Sequence, residues 1–258
     1  MVRRFLVFGA LIGLAGAAFA QQQFKITVTN IGMDTVLTGQ TATGGQPLSP
    51  VFVSVSNSAF DIFDLGGIAS NGIKKIAEGG DTTPLATFAN SQLGGSVLST
   101  TVLGGAPFTP GGSVSGLVTA DAGHDLLSFA MMLGHTNDSF LGESVTSMPI
   151  HLLGGGTPLN TTIAIFGTRA WDAGTELNTQ NAADLGFLGG SGNPDDTDAR
   201  IRVSSGVVSG VGDSWQKMEN WALTDELATI QIQSVPEPTT MAIIGLGALA
   251  LIKRRRNG

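Results

Sequence analysis

The chain has 258 residues, no cysteine and no tyrosine, 37 glycines, and a formal net charge of −7 from 20 acids against 13 lysines and arginines. Without cysteine it forms neither a disulfide nor a thiolate metal site, and an acidic balance works against the phosphate neutralisation that nucleic-acid binding requires, so nucleic acid is not an expected partner. Low charge, abundant Gly, Ser and Thr, and turn signals at short intervals point to an all-β domain with long loops.

Met1 to Ala20 starts with Arg3 and Arg4, continues as an apolar run, and ends Ala18-Phe19-Ala20 before three glutamines. That is the pattern of a secretory signal peptide, with cleavage expected after Ala20. Residues 21–233 then form one expected domain, long enough for a sizeable single core. Its bases are Lys25, Lys74, Lys75, Arg169, Arg200, Arg202 and Lys217, set against every acid of the chain except Glu237, so the exported region is distinctly acidic.

Alternating or β-branched runs predict strands over 24–29, 51–56, 96–102, 113–119, 126–132, 161–166, 199–203 and 228–232. About eight strands suit an antiparallel two-sheet sandwich. Ile68, Ile73, Ile76 and Ala77 follow helical spacing instead, which predicts one short helix near 67–78.

Two acidic stretches stand out. Asp138, in Asn137-Asp138-Ser139-Phe140, and the later Trp171-Asp172-Ala173-Gly174-Thr175-Glu176 read as two loops that can place Asp138, Asp172 and Glu176 around one hard cation. Ca²⁺ accepts about 6 to 8 oxygens in irregular geometry, which carboxylates, carbonyls and water can supply. Gly174 lets the loop curl, and burial of Trp171 would anchor its base. Acids in polar loops are nonetheless usually solvated, and spacing alone is weak evidence. The second stretch, Asn193-Pro194-Asp195-Asp196-Thr197-Asp198, places Asp195, Asp196 and Asp198 in a Gly-rich loop that can hold a second Ca²⁺ or else be a solvated loop or weak ligand-facing surface, since the rest of an EF-hand pattern is missing.

Catalytic signatures are missing. His124, His135 and His151 are scattered, none has zinc-protease spacing, and no nucleophile elbow is present. Asp172 with Glu176 is the pair a glycosidase would use, but no aromatic cleft accompanies it. A binding module is therefore expected rather than an enzyme. His135 is close to Asp138 in sequence and can be either part of the cation loop or a structural residue.

At the other end, Val235-Pro236-Glu237-Pro238 precedes an apolar stretch over 239–252 and then Lys253-Arg254-Arg255-Arg256. The apolar run is shorter than the roughly 20 residues of a comfortable bilayer span, and the basic cluster reads as a cytoplasmic stop. Residues 234–258, with Pro236, Glu237 and Pro238 as the motif, closely resemble the PEP-CTERM sorting signal of Gram-negative bacteria that make exopolysaccharide. The resemblance implies export to the envelope, outer surface or matrix, transient membrane attachment through a short C-terminal transmembrane helix, and processing by an exosortase-type protease. An ordinary C-terminal anchor is the alternative.

The Trp171–Glu176 and Asn137–Phe140 segments resemble the spondin N-terminal domain family. So do Phe24-Lys25-Ile26-Thr27-Val28-Thr29-Asn30, Leu48-Ser49-Pro50-Val51-Phe52-Val53 and Ala77-Glu78-Gly79-Gly80-Asp81-Thr82-Thr83-Pro84-Leu85. They occur in family order over roughly 24–233. The resemblance implies a C2-like β-sandwich holding one Ca²⁺ through Asp138, Asp172 and Glu176, the last standing where the family typically has Asp. It also implies an adhesion-type module whose partner is an extracellular glycan or exopolysaccharide. The alternative is a structural component of the matrix with a degenerate or purely structural metal site.

Overall fold

The computed structural model describes residues 21–31, 46–177, 195–196, 200–204 and 221–236. Two antiparallel sheets face one another. The smaller contains β1 (Gln22–Asn30), β4 (Ser113–Ala120), β10 (Thr161–Phe166) and β13 (Glu226–Val235), in the order β10-β13-β1-β4. The larger contains β2 (Val51–Ser56), β3 (Val97–Leu103), β5 (Leu126–Met132), β6 (Ser139–Glu143), β11 (Ala170–Asp172) and β12 (Arg202–Val203), in the order β12-β11-β6-β5-β2-β3, with β7 (Ile150–His151) also pairing with β5. A small hairpin joins β8 (Leu153–Gly154) to β9 (Thr157–Pro158).

The sandwich follows from side-chain alternation. Phe24, Ile26 and Val28 on β1 point to the same side as Ile230 and Ile232 on β13, and meet Val51, Val53, Val55, Phe129 and Met131 from the facing sheet in one buried cluster. At one edge the Ser99 hydroxyl donates to the Thr119 carbonyl and accepts from its N–H, both at 2.9 Å, tying β3 to β4.

The larger sheet is covered on its other face as well. Phe52, Ala130, Phe140 and Trp171 pack there against Ile73, Ile76, Leu85 and Ala89 of two helices, α1 (Asn71–Gly79) and α2 (Thr83–Asn90). Every residue of β2, β5 and β6 is therefore buried. Helix α1 begins later than its spacing predicts because Ser70 caps it, its hydroxyl accepting from the Ile73 N–H at 3.2 Å. It stops at Gly80, whose φ of 69° suits the left-handed C-terminal position. Ile68 lies outside the helix, 73% exposed and bridged to Arg200.

Three further features depart from the sequence reading. Helix α2, started by Pro84 in its first turn, is additional to the single helix expected. Ser139–Glu143 and Ala170–Asp172, read as loop, are paired strands, so Asp172 is a strand residue and Asp138 immediately precedes a strand. Strand β13 continues to Val235, beyond the expected domain limit at 233, with Ser234 N–H and hydroxyl both bonded to Asn160 Oδ1 at 2.8 and 3.0 Å. The segment 1–20 with its cleavage point, Asp198, Glu237, Pro238 and the apolar run over 239–252 lie outside the described residues. Among the described residues no helix is long and apolar enough to cross a membrane.

Candidate functional site

Asp138 closes the turn from β5 to β6. The Thr136 hydroxyl staples that turn, donating to the Leu133 carbonyl at 2.7 Å and accepting from the Ser139 N–H at 3.0 Å. Strand β11 lies beside β6 with Asp172 opposite Ser139, and Trp171 fixes the pairing through its indole N–H, which donates to the Gly142 carbonyl at 2.8 Å. The burial of Trp171, 6% exposed, agrees with its expected anchoring role.

Beyond Asp172 the chain reverses. Asp172 Oδ1 accepts from the Gly174 N–H at 2.7 Å, the Ala173 N–H donates to the Asp138 carbonyl at 3.0 Å, and Gly174 sits at φ 68°. A Cβ there would lie 2.5 Å from the Arg200 carbonyl oxygen, so both conformation and space demand glycine. The reversal aims three donors at Asp138 Oδ2: the N–H groups of Thr175 (2.7 Å) and Glu176 (2.9 Å), and the Thr175 hydroxyl (3.3 Å).

Asp138 is fully buried, and its other oxygen, Oδ1, has no hydrogen-bond partner. Burial pushes the Asp138 carboxyl up to about 6, and the negative charge of Asp172 pushes the same way, against the three donors. Neighbouring Asn137 is 2% exposed, and neither its amide oxygen nor its nitrogen has a partner. Buried oxygens without donors, close to converging negative charge, fit a hard cation. The partnerless oxygens here are those of Asp138 and Asn137, whereas both Asp172 oxygens already accept, Oδ1 from the Gly174 N–H and Oδ2 from Arg202.

Glu176 is brought to Asp138 by its backbone N–H. Among the described residues no group of three or more acid or histidine side chains is placed to share one ion, so the three expected carboxylates are not gathered into a single cage. His135 donates its backbone N–H to Gln46 Oε1 at 2.9 Å, and burial lowers its imidazole to about 4.

Asp195 and Asp196 of the second acidic stretch lie at the same place, while Asp198 is outside the described residues. Asp195 forms an antiparallel bridge with Glu176, and the Asp196 N–H donates to the Thr175 carbonyl at 3.1 Å. Arg202 joins them, its Nη2 3.2 Å from Asp172 Oδ2 and 3.0 Å from Asp196 Oδ2. Asp195 also lies 3.7 Å from the Lys74 ammonium of α1. Arg202 was missing from the sequence-derived set. Its signal was a rare base among acids, alternating with apolar Ile201 and Val203 as an edge strand requires.

The PEP-CTERM protein-sorting motif model matches residues 234–256. That match implies export, processing by an exosortase at the C-terminal end, and sorting to the cell surface of a Gram-negative bacterium. No curated protein matches the chain. The Spondin_N model matches residues 41–180, more than half of the chain and a span containing Asp138, Asp172 and Glu176. The match is narrower than 24–233, and β1 and β13 outside it complete the smaller sheet. With that match on an antiparallel sandwich of this build, the chain belongs to the spondin N-terminal domain family.

Proposed function

We propose that this exported, exosortase-sorted protein is a calcium-binding adhesion module, acting by binding rather than catalysis, with an extracellular glycan or exopolysaccharide as its partner. The observation that supports the reading is the buried Asp138 carboxylate, with one oxygen unpartnered and the Asp172 charge beside it. Asp138 and Asp172 would hold the ion. Glu176, only partly buried, would join by rotation of its side chain, and carbonyls and water would complete the oxygen count. A bound Ca²⁺ supplies positive charge that offsets the repulsion between the acids and orders the 172–176 turn. Residues 172–175 are themselves buried, so the ordered turn acts by holding the more exposed Glu176 and the 195–196 segment in place for a partner.

One observation favours a second reading, in which the protein is a structural component of the matrix. Arg202 already places a cationic group on Asp172 and Asp196, so the acids can serve the fold without a metal. Thermal melts of the purified chain with Ca²⁺, Mg²⁺ and chelator separate the two. With Ca²⁺ at about a hundred times its dissociation constant, roughly 2.7 kcal/mol, or on the order of 5 to 10 °C, is expected from the ion. No calcium-specific rise would refute the first reading and leave the second.

A further inference from the structure

The opposite end of β6 and β11 carries a cavity unconnected with the acidic site. Asp138 precedes the first residue of β6 and Glu143 is its last, about 17 Å from Asp138 at the usual strand rise. Here Arg169, ending the short 3₁₀ turn Gly167–Arg169, places Nη1 2.7 Å from Glu143 Oε2. The Ser147 hydroxyl donates to Glu143 Oε1 at 2.5 Å. The Glu143 side chain is 1% exposed and that of Arg169 11%. Desolvating such a pair costs several kcal/mol, and well-packed apolar residues would serve the fold at least as well, so its position calls for another explanation.

Both residues line a cavity of about 520 Å³, within the range of small-molecule sites. Leu65, Met148 and Trp171 form its apolar side, and Asp64 and Thr168 add a carboxylate and a hydroxyl. The arrangement selects by charge. Glu143 and Arg169 neutralise one another, which leaves Asp64 as the net charge of the cavity, and that charge opposes an anion. A polyhydroxylated neutral ligand avoids that penalty: its hydroxyls donate to the exposed Asp64 carboxylate and accept from the Arg169 guanidinium, while its C–H faces rest on Leu65 and Met148, 57% and 54% exposed. An adjoining groove of about 590 Å³ shares Ser147, Met148 and Arg169 and continues over Ile150, Leu159 and Ile163, which provides room for an extended chain of units.

We propose that this cavity and groove form a binding site for a neutral oligosaccharide, separate from the acidic site. The inference deepens the adhesion reading above, on which the extracellular origin of the ligand rests. The test is calorimetric titration of the full chain with cellotetraose, maltotetraose and mannotetraose, beside tetragalacturonate as the charged counterpart, in calcium and in chelator. Asp64→Asn and Leu65→Asp change exposed side chains, and circular dichroism checks that they leave the fold intact. Saturable binding of a neutral tetrasaccharide is expected, unchanged by chelator and weakened about tenfold in each variant. Absence of binding by all three neutral sugars at millimolar concentration overturns the proposal, as does tighter binding of tetragalacturonate. Binding that needs calcium, is lost in Asp138→Asn and survives in Asp64→Asn also overturns it, while leaving the adhesion reading in place.

Discussion

Asp138→Asn tests the electrostatics of the acidic site most directly. Asparagine keeps the shape and still offers one oxygen to the Thr175 and Glu176 donors, but it removes the charge that the site disfavours. Raising the carboxyl from 3.8 to about 6 corresponds to ~3 kcal/mol at about 1.4 kcal/mol per pH unit. The sign follows from proton binding: between these values the native state holds more protons than the unfolded chain, so stability is greatest below pH ~4 and falls as pH rises through ~6. At pH 7 in chelator, Asp138→Asn is therefore expected to be more stable than the native chain by up to ~3 kcal/mol, or roughly 6 to 12 °C at this size. With calcium at about a hundred times its dissociation constant that gap is expected to close, because only the carboxylate gains from the ion, by roughly 2.7 kcal/mol. Scanning calorimetry from pH 4 to 8 under both conditions measures this. A variant less stable than the native chain in chelator at pH 7, with no rise in native stability on acidification, would refute the account of Asp138 as a strained, unsatisfied charge.

The other predictions concern residues that the geometry singles out. Arg202→Gln removes the cationic link between Asp172 and Asp196, so it is expected to lower the melting temperature in chelator and to enlarge the calcium-induced rise in a matched melt. Gly174→Ala meets both a left-handed φ and the Arg200 carbonyl, and a loss of ~2 kcal/mol or more is expected in urea titration, with the calcium response weakened because Thr175 and Glu176 no longer reach Asp138. Arg169→Met strands the buried Glu143 carboxylate at a cost of ~3–5 kcal/mol at pH 7. Burial already raises the Glu143 carboxyl, so part of that loss is expected to return as pH falls and it takes up a proton.

The strands legible in the sequence were mainly those with a one-sided or long apolar pattern. Alternation in Phe24, Ile26 and Val28 marked β1, and the apolar runs of β2 and β5 were recognisable by length and β-branching. The sequence also marked Asp138, Asp172 and Glu176 as candidate carboxylates and exposed the sorting motif, because residue type and short motifs are local signals. Strand β6, Ser-Phe-Leu-Gly-Glu, was not legible: covered on both faces, it needs no polar alternation, and its glycine reads as loop. Three-residue β11 exists only because β6 lies beside it.

By itself, then, the sequence determined the fold class and the candidate carboxylates, since side-chain period and residue type are properties of short segments. Only the tertiary structure decided what those carboxylates experience. Full burial of Asp138, the approach of the 195–196 acids to the 172–176 turn, and the placing of Arg202 between Asp172 and Asp196 all depend on strands distant in the chain becoming neighbours. Charge interactions depend on separation in space and on exclusion of water, and neither is written in sequence spacing.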